Sequence, residues 1–241
     1  MKSIIKKILS YLGLFNKAAR AYYLVKTYGF LIGIYHFILI DNIKILTNRT
    51  FDYMNHIDTT GITEVQDLDI REKDFDDANR YQPVSIHHLK ISLKYLLSYN
   101  KGKYDFFLDI GCGKGRPSFF ATRYHPQINK FVGIDISNNL INLANKNLSK
   151  FKNKNNVPTR NILFKKINAL HFKLLKNKSY IIFLFNPFSE KYLDLFLKKN
   201  LNLIKVSNSR IIYVNQPSSS YFKKNFKLIF YDRKIKLFIY K

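Results

Sequence analysis

Strand-length apolar runs alternate with helical patterns from residue 81 onward, and this alternation constrains the fold more than any other feature. The apolar runs cover residues 104–110, 130–135, 162–167, 180–185, 210–215, 226–231 and 234–240. Apolar residues recur at helical spacing over residues 85–99, 117–124, 138–151 and 191–204. Because strands that alternate with helices build parallel sheets, the pattern predicts an α/β fold with a doubly wound, mostly parallel sheet of seven strands. The few residues between the last two runs predict a C-terminal antiparallel hairpin at the sheet edge.

The first predicted strand ends in a glycine-rich turn that leads into a helix. Residues 109–116 read Asp-Ile-Gly-Cys-Gly-Lys-Gly-Arg. Glycines allow the backbone to approach a ligand closely, and the N–H groups at the start of a helix favour an anionic group. The Gly-x-x-x-x-Gly-Lys-Ser/Thr pattern of a phosphate-binding P-loop is absent. The third glycine of the dinucleotide fingerprint is also absent, because Arg116 and Ser118 stand at the two positions where it would fall.

Polar residues stand at the ends of the next three predicted strands. Asp135 ends the second strand, 20 residues after Gly115. Asn168 ends the third strand and precedes Ala169, and the tripeptide Asn-Pro-Phe at residues 186–188 follows the fourth. Ligands of open α/β sheets bind at the carboxyl ends of the strands, so we expect these residues to surround one site.

In this order the motifs resemble those of the class I S-adenosylmethionine-dependent methyltransferases, over about residues 81–241. The resemblance implies a Rossmann-like fold, S-adenosylmethionine as the methyl donor, and no metal. It also implies that the cofactor is bound at the strand ends and by an aromatic residue that precedes them. These candidates are Tyr81, Asp109, Ile110, Gly111, Gly113, Gly115, Asp135, Ile136, Asn168 and Ala169.

The resemblance assigns a role to each part of this cofactor site. Asp109 would lie near the methionine amino group, and the glycines of the loop would form a backbone cradle. Asp135 would hold the ribose, although an acid at the start of a helix is also favoured by the helix dipole alone. Asn168 stands where the family often has Asp and would contact the adenine.

The Asn-Pro-Phe tripeptide resembles the Asn/Asp-Pro-Pro-aromatic motif of amino-directed methyltransferases, with one proline missing. On this resemblance the catalytic candidates are Asn186, Pro187 and Phe188. Asn186 and the Pro187 carbonyl would accept hydrogen bonds from a target amine, and Phe188 would stack on a planar target or on the sulfonium. The missing proline leaves a second interpretation open, in which the tripeptide is a turn that starts a loop and Phe188 belongs to the core.

A closer resemblance is to a group of small, mostly bacterial methyltransferase-like proteins that share the Gly-Lys-Gly-Arg loop and the Asn-Pro-Phe tripeptide. The chain is similar to them upstream as well, where Phe51-Asp52 precedes Asp-Thr-Thr-Gly at residues 58–61 and Tyr-Gln-Pro at residues 81–83. This implies that the segment before residue 81 is part of the enzyme and that Tyr81 closes over the cofactor. The resemblance does not supply the substrate.

The chain carries a formal net charge of +25, from 41 Lys and Arg against 16 Asp and Glu. This charge suggests an anionic partner, either nucleic acid or a membrane surface, although most of the basic residues are Lys, a bias that AT-rich coding sequence also produces. Residues 52–77 are the exception, with nine acids and two bases. Their position before the predicted cofactor domain suggests a lid or an element on the substrate side. The one cysteine excludes an internal disulfide framework and predicts a reducing compartment.

The composition predicts two regions. Residues 1–80 form a basic, helical N-terminal extension that contains the acidic segment, and residues 81–241 form the S-adenosylmethionine-binding domain. The uncharged apolar run at residues 28–40 is shorter than the roughly 20 residues that span a bilayer. A buried or interfacial helix is therefore favoured there. The predicted location is the cytoplasm, with a peripheral membrane contact through residues 1–40 left open.

These observations favour an S-adenosylmethionine-dependent methyltransferase with an unidentified acceptor. The tripeptide favours the amino group of a protein side chain, and the charge makes a nucleic-acid base the second choice. The rival interpretation is a non-catalytic module with a methyltransferase fold, recruited to a membrane surface or to RNA. The intact glycines and Asp135 favour the enzyme. The oligomeric state is left open.

Overall fold

The computed structural model describes residues 42–99, 104–125, 127–155, 161–216 and 220–241, with Tyr22, Lys26 and Phe30 as isolated helical positions. The helical pattern predicted at the basic N-terminus and nearly all of the apolar run at residues 28–40 therefore lie outside the described residues. Within the described part of the chain, no helix combines the length and the apolar character that crossing a membrane requires.

The chain divides into two compact units, residues 1–50 and residues 51–241. This division differs from the boundary at residue 80 that the composition suggested. Residues 51–80 pack in the same unit as the sheet and its helices, and the contacts that hold them there are part of the candidate site.

In the described residues of the second unit, seven strands form one sheet. They are β1 (Phe106–Ile110), β2 (Lys130–Asp135), β3 (Ile162–Lys166), β4 (Tyr180–Phe185), β5 (Arg210–Val214), β6 (Leu228–Asp232) and β7 (Leu237–Tyr240). Their order is β3-β2-β1-β4-β5-β7-β6, in which β1 to β5 are parallel and β7 runs antiparallel between β5 and β6. This order confirms the predicted Rossmann-like, mostly parallel sheet with a C-terminal antiparallel hairpin at its edge.

The helices with described bounds are α1 (Asn42–Asn55), α2 (Ile86–Tyr99), α3 (Arg116–Tyr124), α4 (Asn138–Asn155), α5 (Glu190–Val206) and α6 (Ser220–Asn225). Helices α2 to α5 confirm the four predicted helices to within a few residues. Helix α6 was not predicted, because its six residues are too few to show a periodic pattern. Leu89 of α2 and Phe119 of α3 pack in one core, whereas Phe196 of α5 and Phe222 of α6 pack in another.

The two cores lie on the two faces of the sheet, and the central strands contribute to both. In β4, Ile181 and Phe183 belong to the first core, whereas Tyr180, Ile182 and Leu184 belong to the second. Successive side chains of a strand point to opposite faces, so a strand buried on both sides must be apolar at almost every position. This is why the uninterrupted apolar runs predicted the central strands well.

The last strand is shorter than its apolar run suggested. It begins at Leu237 rather than at residue 234. The N–H groups of Lys234 and Ile235 donate to Asp232 Oδ1 at 2.9 and 3.3 Å, and Lys236 has a positive φ of 48°. An aspartate-capped turn with a left-handed residue takes these positions out of the strand ladder.

Candidate active site

A cavity opens at the carboxyl edge of the parallel strands. Gly111 follows β1, Asp135 ends β2, Asn168 follows β3 and Asn186 follows β4, and all four residues line the cavity. Its empty space, including the open mouth, is about 790 Å³. Open α/β sheets bind their ligands at this edge, so the cavity is the candidate active site.

Most of the residues predicted from the sequence meet in this cavity. Those that line it are Tyr81, Gly111, Asp135, Ile136, Asn168, Ala169, Asn186, Pro187 and Phe188. Asp109, Ile110, Gly113 and Gly115 are not among the lining residues, so their contacts with a cofactor stay predictions. The cavity thus unites the catalytic candidates with most of the cofactor-binding candidates.

Asp109 lies behind the glycine loop rather than at the cavity wall. Its side chain is 2% exposed and accepts a hydrogen bond of 3.4 Å from Ser118 Oγ. Burial raises the pKa of the Asp109 carboxyl well above its usual value, and the nearby Asp135 carboxylate raises it further. Asp109 therefore holds the start of α3 through Ser118, and its predicted place near a methionine amino group stays a prediction.

Two glycines of the loop adopt left-handed backbone conformations and contact side chains from distant motifs. Gly113 has a φ of 52°, and a Cβ atom there would overlap the ring of Tyr81. Gly111 has a φ of 69°, and its Cβ atom would lie 2.5 Å from Pro187 Cβ. A side chain at either position would displace its neighbour or distort the turn. The loop is thus in direct contact with Tyr81 on one side and with the tripeptide on the other.

The Asp135 carboxylate is held at the cavity wall by two backbone groups. The N–H of Gly113 donates to Oδ2 at 2.9 Å, and the N–H of Ser137 donates to Oδ1 at 3.0 Å. Burial raises the pKa of Asp135, and these hydrogen bonds only partly offset it. A carboxylate oxygen can accept a second hydrogen bond, so the group can also bind the hydroxyls of a ligand.

Asn168 caps the short 3₁₀ helix Ala169–His171. Its Oδ1 atom accepts a hydrogen bond of 2.9 Å from the N–H of Leu170. Asn168 therefore shapes the turn after β3 while it lines the cavity. Its contact with an adenine stays a prediction.

The Asn-Pro-Phe tripeptide links β4 to α5. Asn186 has a φ of 44°, and Ser189 caps α5 by accepting a hydrogen bond from the N–H of Tyr192. Phe188 packs against the second core and also lines the cavity. Both interpretations left open by the sequence are compatible with this arrangement, since a turn that starts a helix also brings all three residues to the cavity.

Residues 59–82, which we name the strap, run past the cavity between the starts of α4 and α5. On one side, Asp69 Oδ1 accepts a hydrogen bond of 2.5 Å from Ser137 Oγ. On the other side, the Asp77 carboxylate accepts one of 2.5 Å from Ser189 Oγ, and the Asp77 carbonyl accepts one of 2.9 Å from the Ser189 N–H. The acidic segment is therefore anchored on both sides of the cavity, and its action as a lid stays a prediction.

The strap supplies most of the lining residues that sequence reasoning missed. They are Leu68, Asp74, Asp77, Ala78, Asn79, Arg80 and Gln82. The acidic composition of residues 52–77 was the signal for Leu68, Asp74 and Asp77, whereas the other four residues follow that segment. Leu140 of α4 and Tyr192 of α5 also line the cavity, and the sequence gives no signal for them because each occupies an ordinary position of an amphipathic helix.

A second, more polar cavity adjoins the first beyond Asn186. It is lined by Glu64, Val65, Asn79, Arg80, Gln82, Phe185 and Asn186. All but the first two also line the first cavity. Glu64 and Arg80 form a salt bridge of 3.2 Å at its rim, with both side chains about half exposed, so the pair contributes little stability. Asn186 is part of the wall that the two cavities share.

The site is acidic although the chain as a whole carries a net charge of +25. The charged residues that line the two cavities are Glu64, Asp74, Asp77, Asp135 and Arg80. Nowhere in the described ranges do three or more His, Cys, Asp or Glu side chains form a group that could hold a metal ion. Asp74 and Glu64 are paired with Arg71 and Arg80, so the charge left at the site comes from Asp77 and Asp135 and favours a cationic ligand over an anionic one.

The sheet order, the glycine loop after β1 and the cavity at the carboxyl edge together define a class I methyltransferase fold. A family model described as a methyltransferase domain matches residues 102–230, which is more than half of the chain. The protein therefore belongs to the methyltransferase-domain family. No curated protein matches it.

Two solved structures illustrate the similarity. Magnesium protoporphyrin IX methyltransferase of Synechocystis PCC 6803, solved with bound S-adenosylmethionine, is 15% identical, with a TM-score of 0.46 over 64% of this chain and 77% of that one. The N-methyltransferase NodS of Bradyrhizobium japonicum is 11% identical, with a TM-score of 0.44 over 64% of this chain and 92% of that one.

Proposed function

We propose that this protein transfers a methyl group from S-adenosylmethionine to an amino group held by residues 186–188. One observation carries the proposal. Gly111 and Asp135, which are predicted to bind the donor, line the same cavity as Asn186 and Phe188, which are predicted to bind the acceptor. Direct transfer requires the two reactants to meet, and a cavity bordered by both sets of residues supports this.

The residues present fit S-adenosylmethionine. The Asp135 carboxylate can accept hydrogen bonds from the ribose hydroxyls, and Ile136 and Ala169 offer apolar contacts to the purine. Gly111 lines the cavity, so its backbone can contact the methionine part. When bound, S-adenosylmethionine supplies a methyl group that its sulfonium already activates.

The contribution of the chain is therefore proximity and orientation, which can lower a barrier by several kcal/mol. The side-chain oxygen of Asn186 and the carbonyl of Pro187 accept hydrogen bonds from the neutral form of the target amine and so direct its lone pair. The proton that the amine gives up is released to solvent. Phe188 packs against the carbon atoms next to that amine. The strap keeps water away from the reacting groups.

The acidic lining supports an amino group of a protein side chain as the acceptor. Asp77 and Asp135 disfavour the phosphates of a nucleic acid and favour an amine, whereas Asp74 and Glu64 are paired with Arg71 and Arg80. Arg80 is the one basic residue among the described residues that line the cavities. A nucleic-acid base remains the second candidate because of the net charge of +25.

The donor is tested by calorimetric titration with S-adenosylmethionine. We expect saturable binding by the wild type and a loss of at least about tenfold in affinity for Asp135→Ala, because a lost charge-assisted hydrogen bond is worth roughly 1.5–3 kcal/mol. Asp105→Ala is the control, since Asp105 bonds Ser179 at the opposite edge of the sheet. Absence of binding by the wild type, or equal binding by both variants, would overturn the proposal.

The acceptor is tested by incubating the protein with methyl-labelled donor and a lysate divided into protein, nucleic acid, lipid and small-molecule fractions. We expect label in the protein fraction that survives nuclease and is released by protease. Label confined to the nucleic-acid fraction would move the acceptor to a base. No label in any fraction, despite donor binding, would favour the rival non-catalytic module, for which salt-sensitive pelleting with anionic vesicles is the direct assay.

A further inference from the structure

Arg116, the last residue of the glycine loop, is buried and bonded to three groups that precede the sheet in the chain. Its side chain is 1% exposed. The guanidinium donates to Thr59 Oγ1 at 2.5 Å, to the carbonyl of Val84 at 3.0 Å and to Asp52 Oδ2 at 3.2 Å. A buried charge of this kind is tolerated only when it is paired and hydrogen-bonded, and here the strap and its flanking residues supply every partner.

Asp52 fixes Thr59 from the other side. Its carboxylate is buried and accepts hydrogen bonds of 2.8 Å from both the N–H and the hydroxyl of Thr59. The Asp52 carboxylate therefore binds the backbone N–H of Thr59, and both Asp52 and Arg116 bind the Thr59 hydroxyl. The backbone carbonyl of Thr59 is in turn held in one place.

That carbonyl holds Tyr81. The Tyr81 hydroxyl donates to it at 2.7 Å, and burial raises the pKa of this hydroxyl, so it stays a donor. The ring of Tyr81 lies against Gly113, where a Cβ atom would overlap it. Lys114 Nζ lies 5.3 Å from the ring centroid and donates to the carbonyl of Thr60 at 2.6 Å.

We propose that Arg116 and Asp52 are positioning residues for the cofactor cavity, which act through Thr59 to hold the Tyr81 ring against the glycine loop. Tyr81 lines the cavity, whereas Arg116 and Asp52 do not. The inference rests on the proposed function in one respect, namely that the cavity binds the methyl donor. Its consequence is that donor affinity depends on residues 52–59, which precede every strand of the sheet in the chain.

The matched variants Tyr81→Phe and Tyr180→Phe separate this role from stability. Tyr81→Phe removes only the hydroxyl that donates to Thr59. Tyr180 is also buried, and its hydroxyl accepts a hydrogen bond of 3.0 Å from the N–H of Leu175. Tyr180 starts β4, at the end of the strand away from the cavity. A role in stability alone predicts the same result for both variants.

Two measurements apply to each variant. The first is calorimetric titration with S-adenosylhomocysteine. The second is the rate at which Cys112 reacts with the thiol reagent DTNB in the absence of any ligand. Cys112 is the one cysteine of the chain, is 4% exposed and precedes Gly113, so its labelling reports opening of the loop.

We expect Tyr81→Phe to weaken binding of S-adenosylhomocysteine about threefold to tenfold, the factor that corresponds to one hydrogen bond, and to speed Cys112 labelling. Tyr180→Phe should leave both within about twofold of the wild type, because its lost bond lies outside the site. Equal effects of the two variants, or no effect of Tyr81→Phe, would overturn the inference. If the wild type fails to bind S-adenosylhomocysteine, the proposed function fails, and the labelling rates still decide the positioning role.

Arg116→Lys extends the test to the charged pair. Lysine keeps the charge but cannot bridge Asp52, Thr59 and Val84 at once, so we expect the same changes as in Tyr81→Phe and of larger size. In the double variant of Arg116→Lys and Tyr81→Phe, the fold-changes in affinity and in labelling rate should not multiply, because both substitutions act through the Tyr81 ring. Multiplying effects would assign Arg116 a separate route and overturn the inference. Asp52→Asn replaces Arg116→Lys in this cycle if the lysine variant does not fold.

Discussion

Asp69 Oδ1 and Ser137 Oγ lie 2.5 Å apart and join the strap to the start of α4, two residues beyond Asp135. Burial alone would raise the pKa of Asp69, but the hydrogen bonds from Ser137 and from the N–H of Asn139 outweigh it and lower that pKa. Because the folded-state pKa is lowered, the contact contributes fully at neutral pH and is lost only as the pH falls through this lowered value. It is one of the contacts that anchor the strap beside the cavity.

Asp69→Ala should release this anchor and loosen the strap over the donor site. We expect affinity for S-adenosylmethionine to fall about threefold to tenfold and limited proteolysis within residues 62–80 to become faster, as measured by calorimetry and mass spectrometry. Asp67→Ala is the control, since Asp67 is an exposed acid of the same strap. If the two variants behave alike, the Asp69 contact does not order the strap.

Gly113→Ala should destabilise the fold more than Gly61→Ala does. Both glycines have positive φ, but a Cβ atom at Gly113 would overlap the Tyr81 ring, whereas one at Gly61 would lie 3.7 Å from Lys114 Nζ. We expect backbone strain to cost each variant about 1 kcal/mol and the overlap to cost Gly113→Ala a further 1–3 kcal/mol or so, measured by urea unfolding. Equal losses would mean that Tyr81 does not press on the loop.

The affinity for the donor should depend on pH through Asp135. Burial raises the pKa of this carboxyl, so it gains a proton at a higher pH than an exposed aspartate does. The charged form accepts hydrogen bonds more strongly. Calorimetry over a pH series should therefore show affinity falling as the pH is lowered, from a higher pH than an exposed aspartate would produce. Asp135→Asn should bind weakly throughout the series, whereas Asp109→Asn should keep the wild-type profile. A flat wild-type profile would count against this role of Asp135.

Asn186→Gly should reduce methyl transfer while leaving donor binding nearly intact. Glycine preserves the left-handed backbone of Asn186 (φ 44°). It removes the side-chain oxygen that is proposed to accept a hydrogen bond from the target amine. We expect label incorporated into lysate protein to fall by about a hundredfold, with affinity for S-adenosylhomocysteine changed less than about twofold. Asn215→Gly is the matched control, because Asn215 follows β5 with a φ of 56°. Similar losses in both variants would remove Asn186 from the mechanism.

The sheet could be predicted because its determinants are local in sequence. Each central strand is a short apolar run, as in β4, and the turn after β1 needs glycine where the backbone is left-handed and crowded. Strand ends in a parallel sheet meet at one edge, so the sequence alone assigns Asp135 and Asn186 to one site. The same reasoning misplaced the start of β7, because the aspartate-capped turn at Asp232 interrupts an apolar run.

The arrangement of the strap could not be predicted, because it depends on contacts between residues far apart in the chain. Arg116 and Thr59 are separated by 57 positions, Ser137 and Asp69 by 68, and Ser189 and Asp77 by 112. Neither periodicity nor spacing carries this information. Composition marked residues 52–77 as unusual but gave no partner for any of the acids.

By itself the sequence determined the mostly parallel sheet, the glycine loop and the residues at the strand ends, because apolar period and backbone conformation are properties of short segments. The tertiary structure alone decided that Asp109 lies behind the loop, that Tyr81 covers Gly113, and that an acidic strap anchored at Ser137 and Ser189 forms part of the cavity wall. The physical reason is that buried polar groups must find partners wherever the fold brings them together.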